Sequence, residues 1–326
     1  MRILDCPPLY NENYPELNDD AWFVSAYRQS QLNPELHDTV KEILRELESG
    51  SGYVLLKNVY HGNNIQRAKA VLLNVCRHIG WPVSQTPAVK FIEEITLKSV
   101  GNTAAGNIGY RSRSSMPLHT DRCDINVLLC HTPATKGGTT RIISSTQLYH
   151  KIRELLPPLQ QDVLTQAFPF SRHGENSLGE SPFYLSRLFY PAPQQNQFVA
   201  HYIRCFIEHN LEYLTSEMIQ LMDLIDSNAQ GDDIGCDFQF SKGDMLFMNS
   251  HTTLHARAAY SGNETERLLL RMWLSHSSSR KLPDEFNYKF KNTAPGTYRG
   301  GIWGSEACRQ FYAGQFLEEI AAKPSQ

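Results

Sequence analysis

Apolar residues recur at helical spacing in two stretches near the start of the chain. Over 35–49 the stripe is Leu36, Val40, Ile43, Leu44 and Leu47, with Pro34 before it and Gly50 and Gly52 after it. Over 64–79 it is Ile65, Ala68, Leu72, Val75, Cys76 and Ile79, closed by Gly80 and Pro82. The run "GYVLLKNV" between them reads as a strand, so the chain is expected to open as helix, strand, helix. After residue 90 the pattern shortens to β-branched and aromatic runs: "EITLKSV", "DINVLLC", "TTRIISS", "PFYLSRLFY", "FVAHYIRCFI", "CDFQFS", "DMLFMNS" and "RLLLRMWLS". Helices are expected at 145–156, with Ser145 as cap, at 215–228 and at 305–321, the last after a surface loop, "TAPGTYRGGIWG".

Many short strands with flanking helices predict a mainly β sandwich or barrel. No linker or repeat divides the chain, so one catalytic domain over 1–326 is expected. Its parts are a helical and strand N-terminal region to about residue 90, a core from 91 to 277 and a C-terminal extension from 278. The polar, Gly- and Pro-containing stretch 168–202 reads as a lid-like insertion.

Composition narrows the partners. With 41% hydrophobic residues the chain can bury a sizeable core, and its 31 basic and 34 acidic residues are well mixed. That balance gives no electrostatic footprint for nucleic acid or an anionic membrane, so a small-molecule partner is expected. No segment approaches the roughly 18 uninterrupted apolar residues of a membrane span, nor the apolar core of a signal peptide, and the expected location is cytoplasmic. Seven scattered cysteines without a CxxC suggest neither a disulfide framework nor a zinc knuckle.

The stretch "PLHTDRCD" carries the first candidate chemistry. Read as one strand, it puts His119, Asp121, Cys123, Ile125, Val127 and Leu129 on one face, with Thr120, Arg122, Asp124 and Asn126 on the other. An imidazole and a carboxylate beside an apolar interior call for each other or for a metal. Downstream, "GDMLFMNSHTTLHARAAY" offers His251 and His255 as a third ligand. Two imidazoles and a carboxylate make the facial triad of non-haem iron(II) oxygenases; a three-ligand zinc site with a hydrolytic water fits the same spacing. In "RLLLRMWLS" Arg267, Leu269, Arg271 and Trp273 share a face, and two guanidiniums in an apolar run call for anions such as the carboxylates of an oxo acid.

Assembled, these segments resemble the taurine dioxygenase and clavaminate synthase-like family of Fe(II)- and 2-oxoglutarate-dependent oxygenases. The resemblance runs from "GYVLLKN" through "RHIGWPV", "GYRSRSSMPLHTDRCD", "KGGTTRIISS" and "GDMLFMNSHTTLHARAAY" to "RLLLRMWLS". It implies a double-stranded β-helix, or jelly roll, with flanking helices. It also implies His119, Asp121 and His255 as iron ligands, with His251 a neighbour, and Thr140 and Arg267 as the holders of the distal carboxylate of 2-oxoglutarate. Arg271 matches a position that meets either the substrate's anion or the cosubstrate. The implied cofactors are Fe(II), 2-oxoglutarate and O2, with oxidation of an unactivated C–H bond and release of succinate and CO2. Hydroxylation is the default outcome; desaturation, epoxidation and cyclisation use the same oxidant. A carboxylate at Asp121 disfavours halogenation, which in similar enzymes goes with a small residue there.

A charge count adds a substrate class. Iron(II) and Asp121 sum to plus one, Arg267 and Arg271 add two, and 2-oxoglutarate contributes minus two, so a positive charge remains for an anionic, amino-acid-like or natural-product substrate. Tyr110, Arg111 and Ser114, just before the His-x-Asp segment, and Arg204 in "HYIRC" are further substrate-contact candidates. Two other functions fit the pocket: a non-catalytic jelly-roll module that binds ligand and metal, and a zinc hydrolase active without oxygen.

Overall fold

The computed structural model describes the chain except residues 8, 10–22, 31, 97–114, 173–180, 193–196, 262–266 and 322–326, and the side chains of 261 and 318–321. Two facing sheets form the centre. The larger runs Arg2–Asp5, Tyr53–Lys57, Met245–Asn249, Ile125–Thr132, Leu268–Ser275, Trp81–Val83, with Ile92–Ile95 also paired to Leu268–Ser275. The smaller runs Gly235–Phe238, Thr140–Ser144, Thr253–Arg257, Met116–His119. This is the expected double-stranded β-helix.

Alternation along each strand sorts side chains into three cores. Tyr53, Leu55, Leu128, Cys130, Leu246, Met248 and Leu269 meet Ile142 between the sheets. Val54, Leu56, Ile125, Val127, Leu129, Phe247, Leu270 and Met272 face the helices His37–Ser49 and Ile65–Ile79 on the outside. Beyond the smaller sheet, Leu118, Ile143 and Leu254 pack on the helices Ser145–Leu155 and Ser216–Asn228. Burying Tyr53–Lys57 and Met245–Asn249 on both faces explains why "YVLLK" and "MLFMN" carry so few polar residues.

Several expectations are corrected. Ser144, not Ser145, caps its helix, accepting from the Gln147 N–H. The "FVAHYIRCFI" run is strand only at Val199–Ala200 and turns into the short helix Arg204–Glu208. The "EITLKSV" strand lies at Ile92–Ile95, and its later residues fall outside the described ones. "TAPGTYRGGIWG" is not a surface loop, because Tyr298, Arg299, Ile302 and Trp303 are buried. The "PFYLSRLFY" run is not one strand but two, Phe183–Ser186 and Phe189–Tyr190, each in a short antiparallel pair, and Phe168, Phe170, Phe189 and Phe198 enter the third core.

The buried 298–303 segment has a polar anchor. Arg299, fully buried, donates from Nε to Asp124 Oδ1 at 2.8 Å, and His251 Nε2 donates to the same oxygen at 2.8 Å. Burial alone raises the Asp124 carboxyl, but the Arg299 charge and the His251 hydrogen bond outweigh it and hold its pKa at about 2. Because the folded value lies below the unfolded one, the stabilisation is complete above about pH 4 and is lost as pH falls toward 2. Its full size is about 2 kcal/mol. In acid-unfolding titrations, Asp124→Asn is expected to flatten the stability slope between pH 4 and 2; an unchanged slope would refute the assignment.

Candidate metal centre and its anion cavity

His119 ends the strand Met116–His119 and sits directly opposite His255 on the antiparallel strand Thr253–Arg257. Register therefore brings the two imidazoles together, with ring centroids 4.0 Å apart. Asp121 follows two residues beyond the strand end, and its Oδ2 lies 3.5 Å from His255 Nε2. One ligand atom from each of the three falls within 4.8 Å of the others, a spacing that fits a single metal ion.

The protonation states suit a ligand set. His119 Nδ1 lies 2.9 Å from the Pro117 carbonyl, which only accepts, so Nδ1 carries the proton and Nε2 presents its lone pair. That Nε2 is buried with no partner among the described residues. Burial pushes both imidazoles down, His255 to about 3, so both are neutral at pH 7. Burial pushes the Asp121 carboxyl up, yet neighbouring cations, the Arg271 charge foremost, bring it below the usual range. Asn126 Nδ2 donates to Asp121 Oδ2 at 2.5 Å.

Asn126 corrects the single-strand reading of 119–129. The chain leaves the smaller sheet after His119 and enters the larger one at Ile125, so side-chain alternation does not continue across the turn. Asn126 and Leu128 face the cavity, while Cys123, Ile125, Val127 and Leu129 point to the helices. The polar "TDRCD" between two apolar runs was the available turn signal.

Ile95, Met116, Leu128 and Leu269 give the cavity apolar walls, and Thr140, Arg257, Arg267 and Arg271 give it polar ones. Arg267, buried, has an Nη1 without a partner among the described residues. Arg271 donates from Nε to Gln85 Oε1 at 2.6 Å, and its Nη1 lies 3.8 Å from Asp121 Oδ1. Gln85, Asn126 and Arg257 were not singled out from sequence, since nothing local marks a polar residue as the partner of a distant one.

Other candidates fall elsewhere. His251 bonds Asp124 and is not in the cluster. Arg204 is no anion anchor of the cavity: its guanidinium is engaged by Glu208, Asp223 and Asp226 at 2.7–2.8 Å. Tyr110, Arg111 and Ser114 lie outside the described residues.

Residues 24–273 match the "Taurine catabolism dioxygenase TauD, TfdA family". The chain belongs to the TauD/TfdA family. It is therefore an Fe(II)- and 2-oxoglutarate-dependent oxygenase, with O2 as the second cosubstrate. Among TauD/TfdA-like proteins, FR-33289 synthase of Streptomyces rubellomurinus is 27% identical over 280 residues, covering 82% of this chain and 78% of that protein. Taurine hydroxylase-like protein SAT17 of Stachybotrys chartarum is 26% identical over 179 residues, 51% of this chain and 44% of that protein. The fold is shared with asparagine oxygenase solved with Fe(II), 3-hydroxyasparagine and succinate (TM-score 0.61, 13% identity, 84% of this chain and 93% of that chain). It is shared too with the non-heme iron oxygenase OrfP solved with Fe and alpha-ketoglutaric acid (TM-score 0.57, 13% identity, 84% and 94%). Among the described residues no helix is long and apolar enough to cross a membrane.

Proposed function

We propose that this enzyme hydroxylates an unactivated C–H bond of a small, anionic, amino-acid-like metabolite. In this reading His119, Asp121 and His255 ligate Fe(II), and Arg267 with Thr140 holds the distal carboxylate of 2-oxoglutarate. The observation that carries it is a pair of buried orphans around one cavity: the His119 Nε2 lone pair at the three-residue cluster and the Arg267 Nη1 donor on the cavity wall. An unpaired lone pair calls for a cation and an unpaired guanidinium N–H for an anion. Iron with 2-oxoglutarate and O2 supplies oxidation of the C–H bond, leaving succinate and CO2.

The chain's own residues set up that chemistry. Two neutral imidazoles and one carboxylate would hold Fe(II) with three ligands and leave it able to take the cosubstrates. Asn126 holds the Asp121 carboxylate in orientation, and the Arg271 charge keeps it ionised. The apolar walls keep water away from the reacting carbon. Arg271, the cation beside Asp121, is proposed to meet the substrate's anion, in keeping with the residual positive charge of the site. Support for an amino-acid-like substrate comes from the proteins that share the fold, one an asparagine oxygenase and the other solved with L-Arg.

The test is an anaerobic titration of metal-free protein with Fe(II) and then 2-oxoglutarate, following the visible charge-transfer band of the chelate. The wild type is expected to develop the band. Arg267→Leu is expected to weaken 2-oxoglutarate binding by about 30-fold or more, the scale of a charge-assisted pair removed from a buried site. Wild-type protein that binds iron but gives no band would remove the cosubstrate reading.

A further inference from the structure

Tyr260 packs against two guanidiniums that line the cavity. Its ring centroid is 4.9 Å from the Arg257 guanidinium carbon and 5.1 Å from that of Arg267. Such cation–ring contacts hold the ring by its face, and a guanidinium, which can only donate, leaves the phenol's own O–H in need of an acceptor. Tyr260 is only 7% exposed, and its Oη is buried with no partner among the described residues. A buried phenol hydroxyl normally finds an acceptor, because leaving it unpaired costs free energy.

The same corner holds the unpartnered Nη1 of Arg267, and Thr140 and Arg267 both line the cavity. Backbone geometry explains how these residues share one corner. Tyr260 pairs with Gly137 across a two-residue ladder, and Gly137 and Gly138 have φ of +75° and +73°, which glycine adopts without strain. A Cβ on Gly138 would lie 3.4 Å from Tyr260 Cβ and 3.7 Å from Arg267 Nε. The Gly-Gly pair thus lets the start of the Thr140–Ser144 strand close on both side chains.

We propose that Tyr260 is a further cosubstrate-binding residue, whose hydroxyl donates to the distal carboxylate of 2-oxoglutarate beside Arg267 and selects a 2-oxo acid with a second carboxylate. A carboxylate has about four acceptor sites, enough for Arg267, Thr140 and Tyr260 together. This rests on the cosubstrate reading of the cavity given above.

The experiment compares wild type and Tyr260→Phe in anaerobic Fe(II) titrations with 2-oxoglutarate and with 2-oxopentanoate, which has the same carbon chain but ends in a methyl group. Tyr260→Phe is expected to bind 2-oxoglutarate about ten-fold more weakly, as for a hydrogen bond to a charged group, with 2-oxopentanoate and Fe(II) affinities unchanged. Metal-free Tyr260→Phe is expected to melt at the wild-type temperature or above it, since it removes an unpaired buried donor. Unchanged 2-oxoglutarate affinity, equal weakening for both acids, or a lower melting temperature of the metal-free variant would each overturn the proposal. A wild type that gives no chelate band with either acid would overturn the cosubstrate reading and this proposal with it, a result distinct from a normal band that ignores the substitution.

Discussion

Asp121→Ala is expected to abolish succinate formation and to weaken Fe(II) binding by more than about 100-fold, since even residues that only orient a ligand cost about 10–100-fold. The size follows from charge. Asp121 is the anion of the cluster, and His119 and His255 are neutral. Without it, two imidazoles would have to hold a dication beside Arg271, whose Nη1 now lies 3.8 Å from the Asp121 carboxylate. Asn126→Ala is the graded companion: it keeps the ligand and removes its 2.5 Å hydrogen bond, so a loss within that 10–100-fold range is expected. Anaerobic metal titration and succinate assay of both variants, with circular dichroism as the folding control, checks the series. Wild-type iron affinity in Asp121→Ala would show that the metal sits elsewhere.

Arg299→Leu is expected to cost about 3–5 kcal/mol of stability, the scale of breaking a buried ion pair from one side. Arg299 is fully buried and uses its whole guanidinium: Nε on Asp124, Nη2 on the Arg280 carbonyl at 2.7 Å, Nη1 on the Ala294 carbonyl at 3.0 Å. Leucine leaves those acceptors short of donors in a dry place. The damage should also reach the metal centre. The Gly301 N–H donates to the Arg122 carbonyl at 2.7 Å, and the Arg122 side chain donates to the Lys289 carbonyl. The C-terminal segment therefore braces the turn that carries Asp121. Chemical denaturation gives the first quantity and Fe(II) affinity the second. A change in stability below about 1 kcal/mol would mean that the pair is not part of the folding energetics.

Much of this was legible in the chain. The 3.6-residue stripes of 35–49 and 64–79 became the helices His37–Ser49 and Ile65–Ile79, because one apolar face at that spacing has no other way to leave water. His119, Asp121 and the two candidates His251 and His255 stood out because ionisable groups at the ends of apolar strands are costly without a partner, and Arg267 and Arg271 stood out for the same reason, while the family resemblance alone favoured His255. The face assignment of 125–129 failed because alternation predicts sides only within one strand, and here the chain changes sheets between His119 and Ile125. The 293–304 segment misled in a similar way. Its glycines and proline suggested solvent, but Arg299 is drawn inside by Asp124, 175 positions away.

Sequence by itself therefore determined the elements and the chemistry-bearing residue types, since periodicity and the cost of burying charge are local properties. The tertiary structure decided which of His251 and His255 joins the cluster, because that depends on antiparallel register with Met116–His119. It decided the partners of each buried charge: Asn126 on Asp121, Gln85 on Arg271, and Tyr260 against Arg257 and Arg267. Those contacts join residues set side by side by strand pairing and packing, and no spacing along the chain encodes such a meeting.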